Sequence, residues 1–113
     1  MPQREARVTL RQILDHAREA SAMVQGRDRQ ALDGNRMLAL ALVRLLEIIG
    51  EAAGRVPSEE RGKYPDISWA ELVALRNRLI HAYDQVDLDI VWEIATRDLP
   101  DLIRALEQIP GPI

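Results

Sequence analysis

At 113 residues, with hydrophobic residues at 47%, no Phe and six Gly, the chain suits one helical domain with a real core and no second domain. The lack of cysteine removes disulfide frameworks and cysteine-based zinc sites, and a net charge of −3 removes bulk basicity as a sign of nucleic-acid binding. Residues 1–55 carry nine Arg against seven acids, and residues 56–113 carry six Lys and Arg against eleven acids, so a nucleic-acid contact would need a local patch.

The first helix is expected from about Arg4 to Gln25. Leu10, Ile13, Leu14, Ala17 and Val24 recur at steps of three and four, and Gly26 suits the residue just past the helix end. A short helical turn at Asp28–Asp33 ends at Gly34. The second long helix, about Asn35 to Ala53, is the most apolar. Met37, Leu38, Leu42, Val43, Leu45, Leu46, Ile48 and Ile49 cover most of its circumference, and Arg36, Arg44, Glu47 and Glu51 share one strip. Its apolar run Met37 to Val43 is too short to span a bilayer, and no signal peptide precedes the first helix, so a cytoplasmic protein without membrane contact is expected. A helix this apolar needs cover on several sides, from its own bundle or from a second copy of the chain.

Gly54 to Ile67 reads as a linker, because Pro57, Gly62 and Pro65 forbid a long helix. Ser68 then suits an N-cap, and Glu71 completes a capping box. Trp69, Leu72, Val73, Ile80 and, off-axis, Leu79 define the apolar face of the third helix, which places Arg76 in its middle and points Arg78 away. A core-facing arginine needs a carboxylate or a site. Two readings of Glu47 and Glu51 stay open: surface ion pairs with Arg44, or the carboxylate that Arg76 requires. A short turn at Asp84–Asp87 comes next, and Asp87 can cap the last helix. Leu88, Val91, Ala95, Leu99, Leu102, Leu106 and Ile109 make a long seam there, which Pro100 is expected to kink near Thr96–Leu99. Trp69 and Trp92 read as core anchors, and Pro110–Ile113 as a frayed tail. Four long helices with short connections predict an antiparallel four-helix bundle with short extra turns and a kinked last helix, one domain over 1–113.

The chemistry concentrates in Arg76-Asn77-Arg78-Leu79-Ile80-His81-Ala82-Tyr83. Spacing alone does not establish a site, since Arg11 and His16 repeat the same interval on the first helix, where His16 reads as a plain surface histidine. In an unbroken helix residues five apart lie about 140° apart. Arg76 and His81 can therefore act together only if the helix loosens between Leu79 and His81, or if they meet across a subunit interface. There is no Gly-rich phosphate loop, no zinc-protease HExxH and no nucleophile elbow, and one histidine with scattered acids supports neither a metal nor a cofactor.

Four segments in order, Ile49-Gly50-Glu51-Ala52-Ala53, Tyr64 to Trp69, Arg76 to Tyr83 and Val86 to Trp92, resemble the HepT-like branch of the HEPN superfamily, over about Arg36 to Leu106. That resemblance implies a helical bundle, commonly a homodimer, with an Arg-x4–6-His motif for metal-independent RNA cleavage. It implies a toxin encoded beside a minimal nucleotidyltransferase antitoxin of the MntA type, which adds AMP to the motif tyrosine. Carried over, Arg76 and His81 match the catalytic pair, Asn77 the polar neighbour and Tyr83 the modified tyrosine. Gly50 and Glu51 match a Gly-Glu pair of structural or groove-lining role. The chemistry is coherent: arginine is a fixed, bidentate phosphate clamp and histidine moves protons near neutral pH. Two other readings remain: a non-catalytic module holding a nucleotide through Arg76, His81 and Tyr83, and a helical adaptor in which Arg76 is a structural ion pair.

Overall fold

The computed structural model describes residues 3–82 and 85–113, without the side chains of residues 3 and 80–82. The first long helix, α1 (Gln3–Val24), buries Leu10, Ile13, Leu14, Ala17 and Val24, the stripe expected from spacing, together with Ala6 and Ala20. Gly26, at φ +72°, stops it in the left-handed conformation that glycine adopts without a Cβ clash. A one-turn α2 (Gln30–Gly34) drops Leu32 into the core.

The centre of the fold is α3 (Arg36–Gly54), which packs along α1 and α2 and against the helical segments at 69–79 and 88–93. Asn35 caps it, its side-chain oxygen accepting from the Leu38 N–H at 3.0 Å. Leu42, Leu46 and Ile49 are fully buried, yet Met37 and Leu40 are 82% and 54% exposed, so its all-round apolar surface is only partly covered by this chain. The linker holds one short helix, α4 (Ser58–Arg61). Arg61 donates to the carbonyls of Val56 (2.7 Å) and Ala53 (3.2 Å), tying α4 back to the end of α3. The buried Trp69 indole N–H donates to the Arg61 and Tyr64 carbonyls at 3.2 and 3.1 Å, and so latches the linker to the helix that Trp69 begins.

The third helix departs from expectation. It consists of α5 (Trp69–Val73) and α6 (Leu75–Leu79), divided at Ala74. Ser68 occupies the N-cap position without a side-chain cap bond, so the capping box does not form. The core takes Leu72, Leu75 and Leu79, at steps of three and four, rather than the face centred on Val73 and Arg76. Val73 is consequently 42% exposed. The chain then forms a small antiparallel hairpin, β1 (Ile80–Ala82) with β2 (Gln85–Val86), where a turn was expected; Asp84 lies outside the described residues.

Asp87 caps the last helix as its position suggests, accepting from the N–H groups of Asp89 (2.9 Å) and Ile90 (3.2 Å). That helix runs α7 (Leu88–Glu93), a π-helical turn (Ile94–Asp98), then α8 (Leu99–Glu107). Pro100 has no N–H to give, and where a kink was expected, near Thr96–Leu99, the helix widens into the π turn, the Leu99 N–H reaching the Ile94 carbonyl. Val91, Ala95, Leu99, Leu102, Leu106 and Ile109 are buried, Leu88 and Trp92 only partly. The tail is held rather than frayed: Arg7 donates to the carbonyls of Pro110 (3.2 Å) and Pro112 (3.1 Å).

Ion pairs at both ends orient the bundle. Arg18 meets Glu107 at 2.7 Å, tying α1 antiparallel to α8. At the other end Arg29 meets Asp89 at 2.7 Å and Asp33 at 3.2 Å, and the hydrogen bond to Asp89 is the main reason its pKa is raised. The result is the mostly helical bundle expected from sequence. Among the described residues no helix is long and apolar enough to cross a membrane.

Candidate functional site

The five residues of α6, Leu75-Arg76-Asn77-Arg78-Leu79, are placed by their two leucines, 1% and 0% exposed. At about 100° per residue these two share a face, Arg76 and Arg78 flank it on opposite sides, and Asn77 points away. Accordingly Arg76 and Asn77 are exposed, while Arg78 is half-buried and pairs with Asp98 of the π turn at 3.4 Å. Both arginine expectations are thus reversed. Arg76 stands at the surface and Arg78 turns to a neighbouring helix, because the leucine stripe sets the phase.

The Arg76 guanidinium makes no hydrogen bond or ion pair among the described residues. The carboxylates considered for it do other things. Glu51 pairs with Arg44 at 3.5 Å, both more than half exposed, which is the surface reading. Glu47 is half-buried and makes no ion pair among the described residues. Gly50, beside Glu51, has a clear structural role. A Cβ there would lie 3.0 Å from the Leu72 carbonyl oxygen and 3.3 Å from the Leu75 Cβ, so α3 approaches the α5–α6 junction as closely as it does because position 50 has no side chain. The signal for this in the sequence was a lone glycine inside the most apolar helix.

The backbone condition for Arg76 and His81 to act together is met. The helix ends at Leu79, whose carbonyl accepts from the Asp87 N–H at 3.0 Å, and His81 continues in extended conformation. Ile80 pairs with Val86 and Ala82 with Gln85, so a two-residue step on β1 faces a one-residue step on β2. His81 is the extra residue, at the kind of bulge that re-aims a strand locally. Tyr83 lies outside the described residues. The first Arg–His interval is built differently. Arg11 pairs with Asp15 at 2.9 Å, and the half-buried His16 sits with Nδ1 2.6 Å from the Gln12 carbonyl, all within continuous α1.

Two concavities border α6 and the hairpin. One, about 130 Å³, lies between α5–α6 and the last helix, with Asp66, Glu71, Arg78, Asp98 and Asp101 around a floor of leucines. The other, about 400 Å³, runs over Ala39, Leu40 and Val43 of α3 to Val86 of the hairpin and Leu88 beyond it. Among the described residues no three His, Asp or Glu are grouped to hold a metal ion.

A family model described as "Ribonuclease HepT-like" matches residues 13–109. The chain is similar to "Putative RNase MJ0125" of Methanocaldococcus jannaschii, 35% identical over 109 residues, which cover 96% of this chain and 94% of that one. It is also similar to "Putative RNase MJ1380" of the same organism, 35% identical over 107 residues, 95% of this chain and 98% of that one. A further relative, "Probable ribonuclease HepT" of Thermococcus cleftensis, is 39% identical over 69 residues, 61% of this chain and 63% of that one. No solved structure matches.

Proposed function

This chain belongs to the HepT-like ribonuclease family of the HEPN superfamily, and on that premise we propose that it is a metal-independent endoribonuclease, the toxin of a toxin–antitoxin pair. Arg76 and His81 are its catalytic residues, with Asn77 beside them. The observation that carries this reading is the end of α6 at Leu79. A continued helix would hold Arg76 and His81 about 140° apart, whereas the extended residues 80–82 release His81 from that phase. An exposed arginine with no partner among the described residues is the second support, because a guanidinium kept free of carboxylates is available to a phosphate. The same fact weighs against the adaptor reading, which needs Arg76 engaged with Glu47 or Glu51.

The reaction is transphosphorylation. The 2′-oxygen forms a bond to the adjacent phosphorus as the bond to the 5′-oxygen breaks, and a proton passes from the former to the latter. Neutral imidazole takes the first proton, imidazolium supplies the second, and Arg76 holds the charge that builds on the phosphorane oxygens. One chain offers one motif histidine, and a twofold homodimer with the motifs facing one cleft offers two. Met37 and Leu40, exposed on α3, provide apolar area for such an interface. Control runs through a minimal MntA-like nucleotidyltransferase that adds AMP to Tyr83, placing an anionic phosphate where the RNA backbone would sit. Glu47 and Glu51 line the approach without taking part in chemistry. RNA and the AMP donor both place this work in the cytoplasm.

The test is cleavage of cellular RNA by protein with unmodified Tyr83, in EDTA. Arg76→Ala and His81→Ala should each lower the rate by about 10²–10⁴-fold with the helical signal intact. Arg11→Ala and His16→Ala should retain it. A wild-type protein that leaves all RNA intact would remove the assignment.

A further inference from the structure

Arg78 has no role in the proposed chemistry, and its placement gives it another. We infer that Arg78 and Asp98 form a strut that fixes the rotation of α6 and thereby aims Arg76, so that both are positioning residues of the proposed site. This rests on the proposed function for the identity of Arg76 as the phosphate clamp.

Backbone hydrogen bonds hold the two ends of α6, from the Arg78 N–H to the Ala74 carbonyl and from the Asp87 N–H to the Leu79 carbonyl, each at 3.0 Å. It is five residues long, divided from α5 at Ala74 and succeeded at once by an extended strand, so side-chain holds have a large share in keeping its phase. Leu75 and Leu79 anchor one face, but two side chains on one stripe act as an axle: they resist displacement better than rotation. The groups beside that stripe are Arg78 on one flank and Arg76 on the other. Of the two, Arg78 is the one tethered among the described residues, to Asp98 at 3.4 Å, with the pair 34% and 40% exposed. Breaking it lets α6 roll, and a guanidinium at the end of a long side chain amplifies a small roll into a displacement that a phosphate would feel.

The position of Asp98 points the same way. It is the last residue of the π turn, and a π turn displaces residues around the helix axis relative to an unbroken α-helix. The loosened turn just before Pro100 is thus the one that presents a carboxylate to α6. Asp66, Glu71 and Asp101 line the same cleft, so the local field favours a cation at position 78, while geometry selects Asp98 as the paired oxygen. A half-exposed pair of this kind adds little to global stability. That separates a positioning role from a structural one: function should suffer where melting does not.

The experiment uses full-length Asp98→Asn, Arg78→Met and the double variant, each with and without Arg76→Ala, read by amide hydrogen exchange and by steady-state RNA cleavage. Exchange across residues 75–79 should quicken several-fold in each strut variant, with α1 and α3 unchanged and Tm within a degree or two. kcat should fall about 3–30-fold with little change in KM, and the double variant should be no worse than the worse single. Adding Arg76→Ala to Asp98→Asn should cost less than it costs the wild type, because the clamp is already misaimed. Unchanged exchange at 75–79, or an undiminished Arg76→Ala penalty, overturns the strut. If the wild type cleaves no RNA, the functional reading fails and the strut stands or falls on exchange alone.

Discussion

Gly50→Ala should destabilise the protein although alanine is the better helix former. In the interior of α3 the substitution gains about 0.5–1 kcal/mol from backbone propensity. Against that, the new methyl carbon would lie 3.0 Å from the Leu72 carbonyl oxygen, a backbone atom that cannot swing aside, and 3.3 Å from the Leu75 Cβ. Forcing a methyl into packed structure costs about 1–3 kcal/mol, and a rigid backbone neighbour puts this site in the upper part of that range, about 2–3 kcal/mol, so the net should be a loss of roughly 1–2 kcal/mol. For a domain of this size that is a fall in Tm of about 4–8 °C. Gly54→Ala is the matched control: it ends the same helix, its added Cβ has no atom within 4 Å, and its backbone is not left-handed. It should be neutral or stabilise by up to about 1 kcal/mol. Thermal melts by circular dichroism decide the matter. The strained junction also carries α6, so Gly50→Ala should cleave RNA more slowly at temperatures where it remains folded. Equal melting temperatures for the two variants would refute the reasoning that position 50 is a contact point.

Asp87→Ala should cost about 1 kcal/mol in urea denaturation, because Asp87 accepts from the N–H groups of Asp89 and Ile90, whereas Ser68→Ala should change almost nothing, its side chain making no cap bond. Leu79→Ala, at a fully buried position, should lose about 2–5 kcal/mol in the same assay. Light scattering at micromolar concentration should give twice the 12.8 kDa chain mass, and Met37→Glu with Leu40→Glu should return it to the monomer while the fold persists. Tyr83→Phe should stay toxic yet escape neutralisation by a co-expressed nucleotidyltransferase, while the wild type gains whole AMP units mapping to Tyr83; a neutralised Tyr83→Phe would mean that control is by complex formation.

The parts legible in sequence were those set by local rules. The stripes of α1 and the last helix, the glycine stop at Gly26 and the cap at Asp87 all depend on residues within a turn of one another. The third helix was misphased because two stripes compete there. The expected face took Trp69, Leu72, Val73, Leu79 and Ile80 together, whereas the buried set is Trp69, Leu72, Leu75 and Leu79, a phase that puts Leu75 rather than Val73 into the core beside Gly50. That choice carried Arg76 outward and Arg78 to Asp98, a partner 20 residues on whose position depends on a π turn that no periodicity announces. The loosening needed between Leu79 and His81 could be stated as a condition from the sequence, but its form, a bulged strand, needed Gln85 and Val86 as partners.

In the proposed chemistry Arg76 and His81 cut RNA by using its own 2′-hydroxyl. The most direct measurement compares one oligonucleotide sequence as RNA and with 2′-O-methyl at every ribose, incubated with the purified protein in EDTA, with product ends identified by mass spectrometry. Only the unmodified RNA should be cleaved, leaving a 2′,3′-cyclic phosphate and a 5′-hydroxyl, and His81→Ala should slow the appearance of both products by about 10²–10⁴-fold. Cleavage of the 2′-O-methyl strand, or a 5′-phosphate on the product, would contradict it.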